Sequence, residues 1–183
     1  VFIPAGPFKM GAGYVGTFFT NAPVHTVQVA ALYMDLWEVS GAKWDAVRQW
    51  GLAHGYSDLR KGQAGCTAKG GATGPTHPIV QITWYDSVKW CNARSEMDGL
   101  TPAYYTERAQ LTVYRTGALN ISNEWVDWQA AGYRLPTEAE WEKAARGALA
   151  DAYYAWGNAL NGAMANYYDS GDPFDNGTTP VGY

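Results

Sequence analysis

The sequence predicts an α+β domain in which loops outweigh regular structure. Three segments carry the cap residues and apolar spacing of helices, whereas the strand-like runs are short and bounded by turn residues. Aromatic residues make up 15% of the 183 residues and charged residues only 16%, against roughly 25% charged residues in an ordinary soluble domain. This composition differs from that of a helical bundle, and the length suits one domain over residues 1–183.

Two strand regions are predicted in the first third of the chain. Residues 1–10 form the first, and Pro4 and Pro7 favour an edge position for it because proline cannot donate a ladder hydrogen bond. Residues 25–33 alternate partly between apolar and polar side chains and form the second. A Gly-rich loop over residues 11–21 is expected between the two regions.

Three helices are predicted from their cap and stop residues. The third has the clearest start, because Thr137-Glu138-Ala139-Glu140 is a capping box. Each helix also has a face that is predicted to be buried. The caps and approximate ends are Ser40 with His54, Thr83 with Gly99, and Thr137 with Gly147. The buried faces are Trp44, Val47 and Trp50 on the first helix, Val88, Cys91, Asn92 and Ser95 on the second, and Trp141, Ala144 and Ala145 on the third.

The remaining segments are predicted mostly as loops. Residues 55–77 are Gly-rich and predict a long loop, which in a compact domain is usually functional or mobile. Residues 77–82 predict a short buried strand, and residues 103–106 with 111–114 predict a hairpin. From Tyr153 onward there is no periodicity, so a long ordered loop is expected.

Charge and hydropathy exclude two classes of partner. The net charge is −4 and the pI is about 5.3, whereas a nucleic-acid-binding domain carries a basic patch or stripe. No apolar run approaches the roughly 18 residues of a membrane-spanning helix. We therefore expect neither nucleic acid as a partner nor a membrane span.

The histidines and cysteines form no familiar metal motif. None of His25, His54 and His77 stands three or four residues from another histidine or a cysteine, so the usual zinc spacing is absent. A turn histidine bonded to the backbone is the expectation for each. Cys66 and Cys91 could pair with each other, pair with something outside this chain or stay reduced.

The acidic segment 166–177 allows two interpretations. It holds three aspartates together with amide and carbonyl oxygens. Calcium takes about six to eight oxygen ligands and tolerates irregular loops. Asp, Asn and Gly also favour turns with no metal present. The spacing does not match an EF-hand, and the spacing alone favours the turn over the calcium site.

Five ordered blocks resemble the formylglycine-generating enzyme, or sulfatase-modifying factor, family. The most specific block is GYRLPTEAEWE, which begins at Gly132. Because the blocks span the chain, residues 1–183 are identified as a single domain of this family. The resemblance implies a C-type-lectin-like fold with little regular secondary structure, and the long insertion over residues 100–130 is similar to the broad bacterial branch. The blocks lie at residues 2–11, 23–40, 77–92, 132–147 and 156–158.

The resemblance favours calcium in the acidic segment. In the family, a structural calcium is held by an Asn side chain, the next carbonyl and an acidic residue that precedes a Thr-x-Pro-Val segment. Asn166 and Tyr167 match the first two positions, and Thr178-Thr179-Pro180-Val181 matches the segment. The acidic ligand is Asp172 or Asp175, because the loop length differs from that of the family. The expected metal ligands are therefore Asn166, Tyr167, Asp172 and Asp175.

Several family features do not occur within residues 1–183. A complete family domain continues into a Gly-Asn-x-Trp-Glu-Trp block, an Arg-Gly-Gly-Ser block and, in formylglycine generators, two cysteines that bind copper. Neither Cys66 nor Cys91 matches those cysteines. We therefore expect a domain that is C-terminally incomplete, with the remainder as its partner and no catalytic residue in this chain. Copper is expected only if that remainder carries the cysteine pair.

The resemblance implies two main functions. The first is copper-dependent oxidation of a peptidyl cysteine to formylglycine. The second is a non-catalytic module that binds a protein or peptide ligand on the same fold, as in variable receptor proteins diversified by retroelements. A related iron-dependent sulfoxide synthase ranks below both, because three scattered histidines do not supply its histidine cluster. An extracytoplasmic or secreted location is favoured.

Overall fold

The computed structural model divides into two compact units, each built from two stretches of the chain. Unit 1 comprises Val1–Leu36 and Pro136–Asp172, and unit 2 comprises Trp37–Leu135 and Pro173–Tyr183. The structure describes residues 1–11, 23–67, 73–147, 149, 154–174 and 177–183. The loop predicted at residues 11–21 lies outside the described residues, apart from Gly11.

The described residues contain six short strands and three helices, so the predicted α+β class with little regular structure is confirmed. No helix in the described ranges is long and apolar enough to cross a bilayer. The strands are β1 (Phe2–Ile3), β2 (Gly6–Met10), β3 (His25–Val29), β4 (Leu32–Tyr33), β5 (Gln63–Ala64) and β6 (Ile79–Val80). The helices are α1 (Gly41–Ala53), α2 (Trp84–Met97) and α3 (Glu138–Arg146), and a 3-10 turn covers Asn123–Trp125.

All three predicted helices are present, and their predicted caps explain where they start. Each helix begins at the residue after Ser40, Thr83 or Thr137. The capping box of α3 is formed in both directions. The Glu140 amide donates to the Thr137 hydroxyl at 3.2 Å, and the Thr137 amide donates to the Glu140 carboxylate at 2.8 Å. Two amides that the helix itself cannot satisfy therefore have partners.

Unit 1 contains two antiparallel strand pairs where the sequence predicts two single strands. β1 pairs with β4, and β2 pairs with β3 from Gly6 opposite Val29 to Met10 opposite His25. Each predicted strand region is therefore broken into two. Pro4 lies in the first break, where its missing N–H leaves nothing to donate to a ladder.

α3 packs on β2 through polar side chains, not through the apolar face predicted for it. Lys143 Nζ donates to the carbonyls of Pro4 and Gly6 at 2.7 and 3.0 Å. Trp141 is 62% exposed and Ala145 is also exposed, so the prediction that they are buried is wrong. The physical reason is that the contact with the strand consists of hydrogen bonds from long side chains to backbone carbonyls. Such bonds do not need an apolar stripe.

α1 and α2 pack together in unit 2 around two tryptophans. The rings of Trp44 and Trp90 are stacked with centroids 5.4 Å apart. The Trp90 indole N–H donates to the Trp44 carbonyl at 3.1 Å, so the polar edge of the ring is satisfied inside the core. The predicted faces of both helices are confirmed. Their buried members are Trp44, Val47, Val88, Cys91, Asn92 and Ser95, and Trp50 packs against the core.

β5 and β6 form a third antiparallel pair, which lies in unit 2. Gln63 is opposite Val80, and Ala64 is opposite Ile79. β6 lies inside the strand predicted at residues 77–82, whereas β5 lies in a segment predicted as loop. A strand of two residues is too short to show the alternation of apolar and polar side chains from which strands are predicted.

The segment predicted as a hairpin in unit 2 is irregular in the structure. Tyr105 lies opposite Val113 in a single antiparallel bridge, and the Thr106 and Tyr114 amides donate to the Thr112 and Tyr104 carbonyls, both at 3.0 Å. The predicted pairing of the two runs is therefore present, but it is too short to form two strands. The buried Asn92 side chain of α2 supplies the partners that a ladder would supply. Its Nδ2 donates to the carbonyls of Tyr104 and Tyr114 at 2.8 and 3.1 Å, and its Oδ1 accepts from the Tyr104 N–H at 3.0 Å. The backbone needs no further strand pairing because its buried groups are already bonded.

Candidate functional site

Two of the predicted calcium ligands, Asn166 and Tyr167, lie at a tight turn in unit 1. The Ser170 amide closes the turn by donating to the Tyr167 carbonyl at 3.1 Å. Asp169 has a left-handed φ of 59°, a conformation that Asp adopts more readily than most residues. Asn166 and Tyr167 are both exposed. The Tyr167 carbonyl still has a second lone pair for another partner.

Asp172 follows this turn and is half-buried. Its carboxylate accepts a hydrogen bond from the Ser170 hydroxyl. Gly162 packs against the same residue, since a Cβ at that position would lie 2.1 Å from the Ser170 carbonyl oxygen. Ser170 therefore closes the turn, contacts Asp172 and excludes any side chain at Gly162.

The chemistry of these groups fits calcium. An amide oxygen, a backbone carbonyl and a carboxylate are hard ligands of the kind that Ca²⁺ takes in irregular loops. Asp175, the fourth predicted ligand, lies outside the described residues. Within the described ranges no three His, Cys, Asp or Glu side chains are grouped so as to hold a metal ion. A site here would depend on amide and carbonyl oxygens, and the set Asn166, Tyr167, Asp172 and Asp175 stays a prediction.

Two of the histidines bond to the backbone, as expected. The Nδ1 atom of His25 lies 2.8 Å from the Pro23 carbonyl oxygen, and that of His54 lies 2.7 Å from the Trp50 carbonyl oxygen. The His54 ring also stacks on the Trp50 ring. These contacts explain both residues without a metal or a catalytic role.

His77 is different, because it is buried and bonded to a side chain. Its Nδ1 lies 3.0 Å from the Thr178 hydroxyl oxygen. The same hydroxyl accepts from the Cys66 amide at 3.1 Å, and the Thr178 amide donates to the Cys66 carbonyl at 2.9 Å. Thr178 therefore joins three segments of unit 2. Nothing in the sequence indicated this role beyond the Thr-x-Pro-Val pattern itself.

The two cysteines do not fit a copper site. Cys66 is exposed, Cys91 is buried in α2, and neither forms a disulfide. Copper(I) in a protein is held by soft thiolate ligands that must converge on one ion. A surface cysteine and a helix-core cysteine do not provide that pair.

Tyr56, Glu96 and Arg115 form an ionisable network in unit 2. Burial raises the pKa of Tyr56 well above its usual range, and the hydrogen bond that it donates to Glu96 at 2.6 Å raises it further. Arg115 pairs with the same carboxylate. The phenol therefore stays protonated at any ordinary pH, and the network has the properties of a structural contact.

Lys89 and Asp58 form a second ionisable pair. The Lys89 side chain is 3% exposed, and its Nζ donates to Asp58 at 2.6 Å and to the Gly117 carbonyl at 3.0 Å. Burial raises the pKa of Asp58, but hydrogen bonds from Lys89 and the Gly117 amide outweigh it, so this pKa lies below its usual value. The lysine is fully engaged and has no geometry for nucleophilic chemistry.

A cleft of about 430 Å³ lies in unit 2, where the first turn of α1 faces β5. Gly41 is required there, because a Cβ would lie 2.4 Å from the Ala64 Cβ. The Gly41 and Ala42 amides donate to the His77 and Pro75 carbonyls, both at 2.8 Å, and the Lys43 amide donates to the Ser40 hydroxyl, so these three amides of the helix start are already bonded. The sequence predicted only a long Gly-rich loop in this region and did not indicate a cleft. Its lining includes Ala42, Asp45, Lys61, Gln63, Ala64 and Ile79.

The whole chain, residues 1–183, matches the family model described as Sulfatase-modifying factor enzyme 1-like domain. Among individual relatives, a Formylglycine-generating enzyme of Thermomonospora curvata is 29% identical over 99% of this chain. The alignment covers 63% of that enzyme. The chain spans about half the length of the relatives that it matches.

Two solved structures have the same fold. CarF superposes with a TM-score of 0.75 at 25% identity, over 100% of this chain and 70% of CarF. Treponema denticola variable protein 1 superposes with a TM-score of 0.61 at 25% identity, over 96% of this chain and 63% of that protein. The C-type-lectin-like fold expected from the sequence is thereby confirmed.

Proposed function

The chain belongs to the family of sulfatase-modifying factor enzyme 1-like domains, and we propose that it takes part in oxidising a peptidyl cysteine to formylglycine. In this reaction the β-carbon of the cysteine becomes an aldehyde carbon and its sulfur leaves as hydrogen sulfide. Molecular oxygen is reduced with two electrons from that carbon and two from a thiol reductant, so that one molecule of water is formed. The observation that carries the proposal is the extent of the likeness. The similarity to the Thermomonospora curvata enzyme runs through 99% of this chain and is not confined to one motif.

No oxidative step is assigned to this chain's own thiols. Cys66 is exposed and Cys91 is packed in α2, so neither fits a copper ligand pair. Copper belongs to the proposal only if two further thiolates supply its site. The contribution proposed for residues 1–183 is the scaffold on which a peptide substrate and such a site would be held.

A structural calcium ion is part of this proposal. Asn166 would contribute its amide oxygen, Tyr167 its carbonyl, and Asp172 and Asp175 their carboxylates. Calcium supplies no redox chemistry, and its role would be to join parts of an irregular segment through charge and coordination. The support is the turn at Tyr167–Ser170 together with the half-buried carboxylate that follows it.

A non-catalytic binding module is the second candidate function. Two observations favour it: the likeness to Treponema denticola variable protein 1, and the separate locations of the two cysteines. In this case the fold would present a surface to a protein or peptide ligand. An extracytoplasmic or secreted location is proposed with it.

An aldehyde-capture experiment distinguishes the two candidates. Residues 1–183, joined to a segment that supplies two further thiolates, are incubated with copper(I), oxygen, a thiol reductant and a sulfatase-type cysteine peptide, and the product is trapped with an aminooxy probe. Copper-dependent trapping that is absent from the matched serine peptide would support the oxidase. If this joined protein is folded and gives no trapped product while the Thermomonospora curvata enzyme does, the oxidase proposal fails and the binding module is favoured.

A further inference from the structure

The outer edge of β5 has backbone groups that the described part of the chain does not use. In an antiparallel ladder, the N–H and C=O of one residue point to the same side and alternate along the strand. The Gly65 amide donates to the Pro78 carbonyl at 2.8 Å, so the backbone N–H and C=O of Gly65 point toward β6. Ala64, one residue earlier, therefore points its N–H and C=O away from β6. Neither group has a partner among the described residues.

The same edge already accepts a strand two residues further on. The backbone groups of Cys66 point away from β6, like those of Ala64. The Cys66 carbonyl accepts a hydrogen bond from the Thr178 amide at 2.9 Å. Thr67 forms an antiparallel bridge with Gly177 in the same place. The chain itself thus shows that an extended segment can pair along this edge. At Ala64 no described residue pairs with this edge.

The cleft beside β5 suits a side chain from an added strand. Side chains of paired residues in a sheet point to the same face. A residue opposite Ala64 would therefore point its side chain to the face on which Ala64 meets Gly41, and that face lines the cleft. The volume of about 430 Å³ is within the range of binding pockets.

Lys61 gives the cleft its charge preference. It is exposed, lines the cleft and has no ion-pair or hydrogen-bond partner among the described residues. Asp45, the acidic residue of the lining, is engaged by Arg48 and Gln49 at 3.5 and 3.4 Å. Among the described lining residues the unpaired charge is therefore positive, and it complements a carboxylate.

We propose that the outer edge of β5 docks an extended peptide segment with an acidic side chain. The peptide backbone would pair with the N–H and C=O of Ala64, one side chain would enter the cleft, and a carboxylate would face Lys61. Backbone pairing gives affinity in such strand addition, and the side-chain contacts give selectivity. This docking does not rest on the oxidase proposal, because it involves neither thiol.

The test uses the intact chain and two short synthetic peptides of alternating Thr and Val, one with a central Glu and one with Lys in its place. Hydrogen exchange followed by NMR reports on the Ala64 amide. With saturating Glu peptide, we expect exchange at Ala64 to slow by roughly tenfold or more. Lys61→Glu should weaken binding of the Glu peptide by about threefold to fivefold and strengthen binding of the Lys peptide.

Arg108→Glu is the matched control, because it makes the same charge change at a side chain that is 80% exposed and outside the cleft lining. It should leave both affinities unchanged. Thermal melting checks that each variant is folded. Binding that leaves the Ala64 amide unprotected, equal affinity for both peptides, or no binding at all would overturn the proposal. Aldehyde capture is a separate readout, so failure of either proposal is recognised independently.

Discussion

Two irregular segments of this protein are held in different ways. In unit 2, the backbone between residues 100 and 135 is bonded from the inside by α2: Asn92 holds Tyr104 and Tyr114, and the Ser95 hydroxyl accepts from the Tyr133 amide at 2.8 Å. In unit 1, residues 154–172 have local turns, and much of their apolar surface is exposed. Irregular backbone needs polar partners, and in the first segment the helix α2 supplies them.

The cost of leaving backbone groups unpaired explains why this difference matters. A buried N–H or C=O without a partner costs about 1–3 kcal/mol. Asn92 removes that cost for the Tyr104 N–H and the Tyr114 carbonyl with one side chain, and it is a second donor to the Tyr104 carbonyl. In unit 1 the proposed calcium ion would be the corresponding partner, for carbonyl and carboxylate oxygens.

Asn92→Ala is expected to have the largest effect. It deletes three hydrogen bonds in a fully buried position and leaves the Tyr104 and Tyr114 backbone groups without them. We expect the free energy of unfolding to fall by about 3–5 kcal/mol. Urea denaturation followed by far-UV circular dichroism measures it.

Asn120→Ala is the control for that variant. Asn120 is exposed and accepts one hydrogen bond, from the Tyr85 hydroxyl at 2.6 Å. Its loss should cost less than about 1 kcal/mol. Equal losses for the two variants would mean that Asn92 is not what holds the segment.

Calcium removal should have the next largest effect, and it should act through unit 1. A ligand at a hundred times its dissociation constant stabilises the folded state by about 2.7 kcal/mol. For a chain of this size that corresponds to a melting temperature roughly 5–10 °C lower in EDTA than in calcium. Differential scanning calorimetry with and without EDTA gives the comparison.

Asn166→Ala should abolish the difference between calcium and EDTA. Asn123→Ala removes an exposed amide of the same kind in unit 2 and should preserve the difference. A melting temperature that EDTA leaves unchanged in the unmodified chain would reject the metal site. An EDTA effect that survives in Asn166→Ala would place the ion elsewhere.

The local parts of the fold were predictable from the sequence, and the polar long-range contacts were not. Thr83 and Thr137 marked helix starts because a capping box acts within one turn. The role of Asn92 depends on groups 12 and 22 residues away, which no local pattern encodes. Trp141 was predicted as buried because apolar spacing indicates a core face, yet α3 meets its strand through Lys143.

In the candidate sites too, the local features were predictable from the sequence and the long-range ones were not. The turn at Asn166 and Tyr167 was predicted from residue types, since Asn, Asp and Gly adopt turn conformations by themselves. The open edge at Ala64 depends on which way its backbone groups point relative to β6. That direction depends on strand register, which a two-residue strand does not reveal in sequence.

Tyr56→Phe should have the smallest effect at neutral pH and a distinctive effect at alkaline pH. Tyr56 donates to Glu96, which Arg115 keeps paired when the hydroxyl is removed, so we expect a loss of about 1–2 kcal/mol at pH 7. The folded-state pKa of Tyr56 is raised above its unfolded value near 10. Its contribution is therefore complete below pH 10 and is lost as the pH rises above 10, where the unfolded tyrosine ionises.

The pH dependence of stability above pH 9 distinguishes a buried tyrosine of unit 2 from an exposed tyrosine of unit 1. Between pH 9 and about pH 11, urea midpoints of the unmodified chain should fall more steeply than those of Tyr56→Phe. Tyr168→Phe alters a tyrosine of unit 1 that is 79% exposed, and it should leave the slope as it is. If Tyr56→Phe and the unmodified chain have the same slope, the buried phenol does not carry the alkaline sensitivity. The polar contacts that stabilise unit 2 would then be those of Asn92 and Ser95, whose side chains do not titrate.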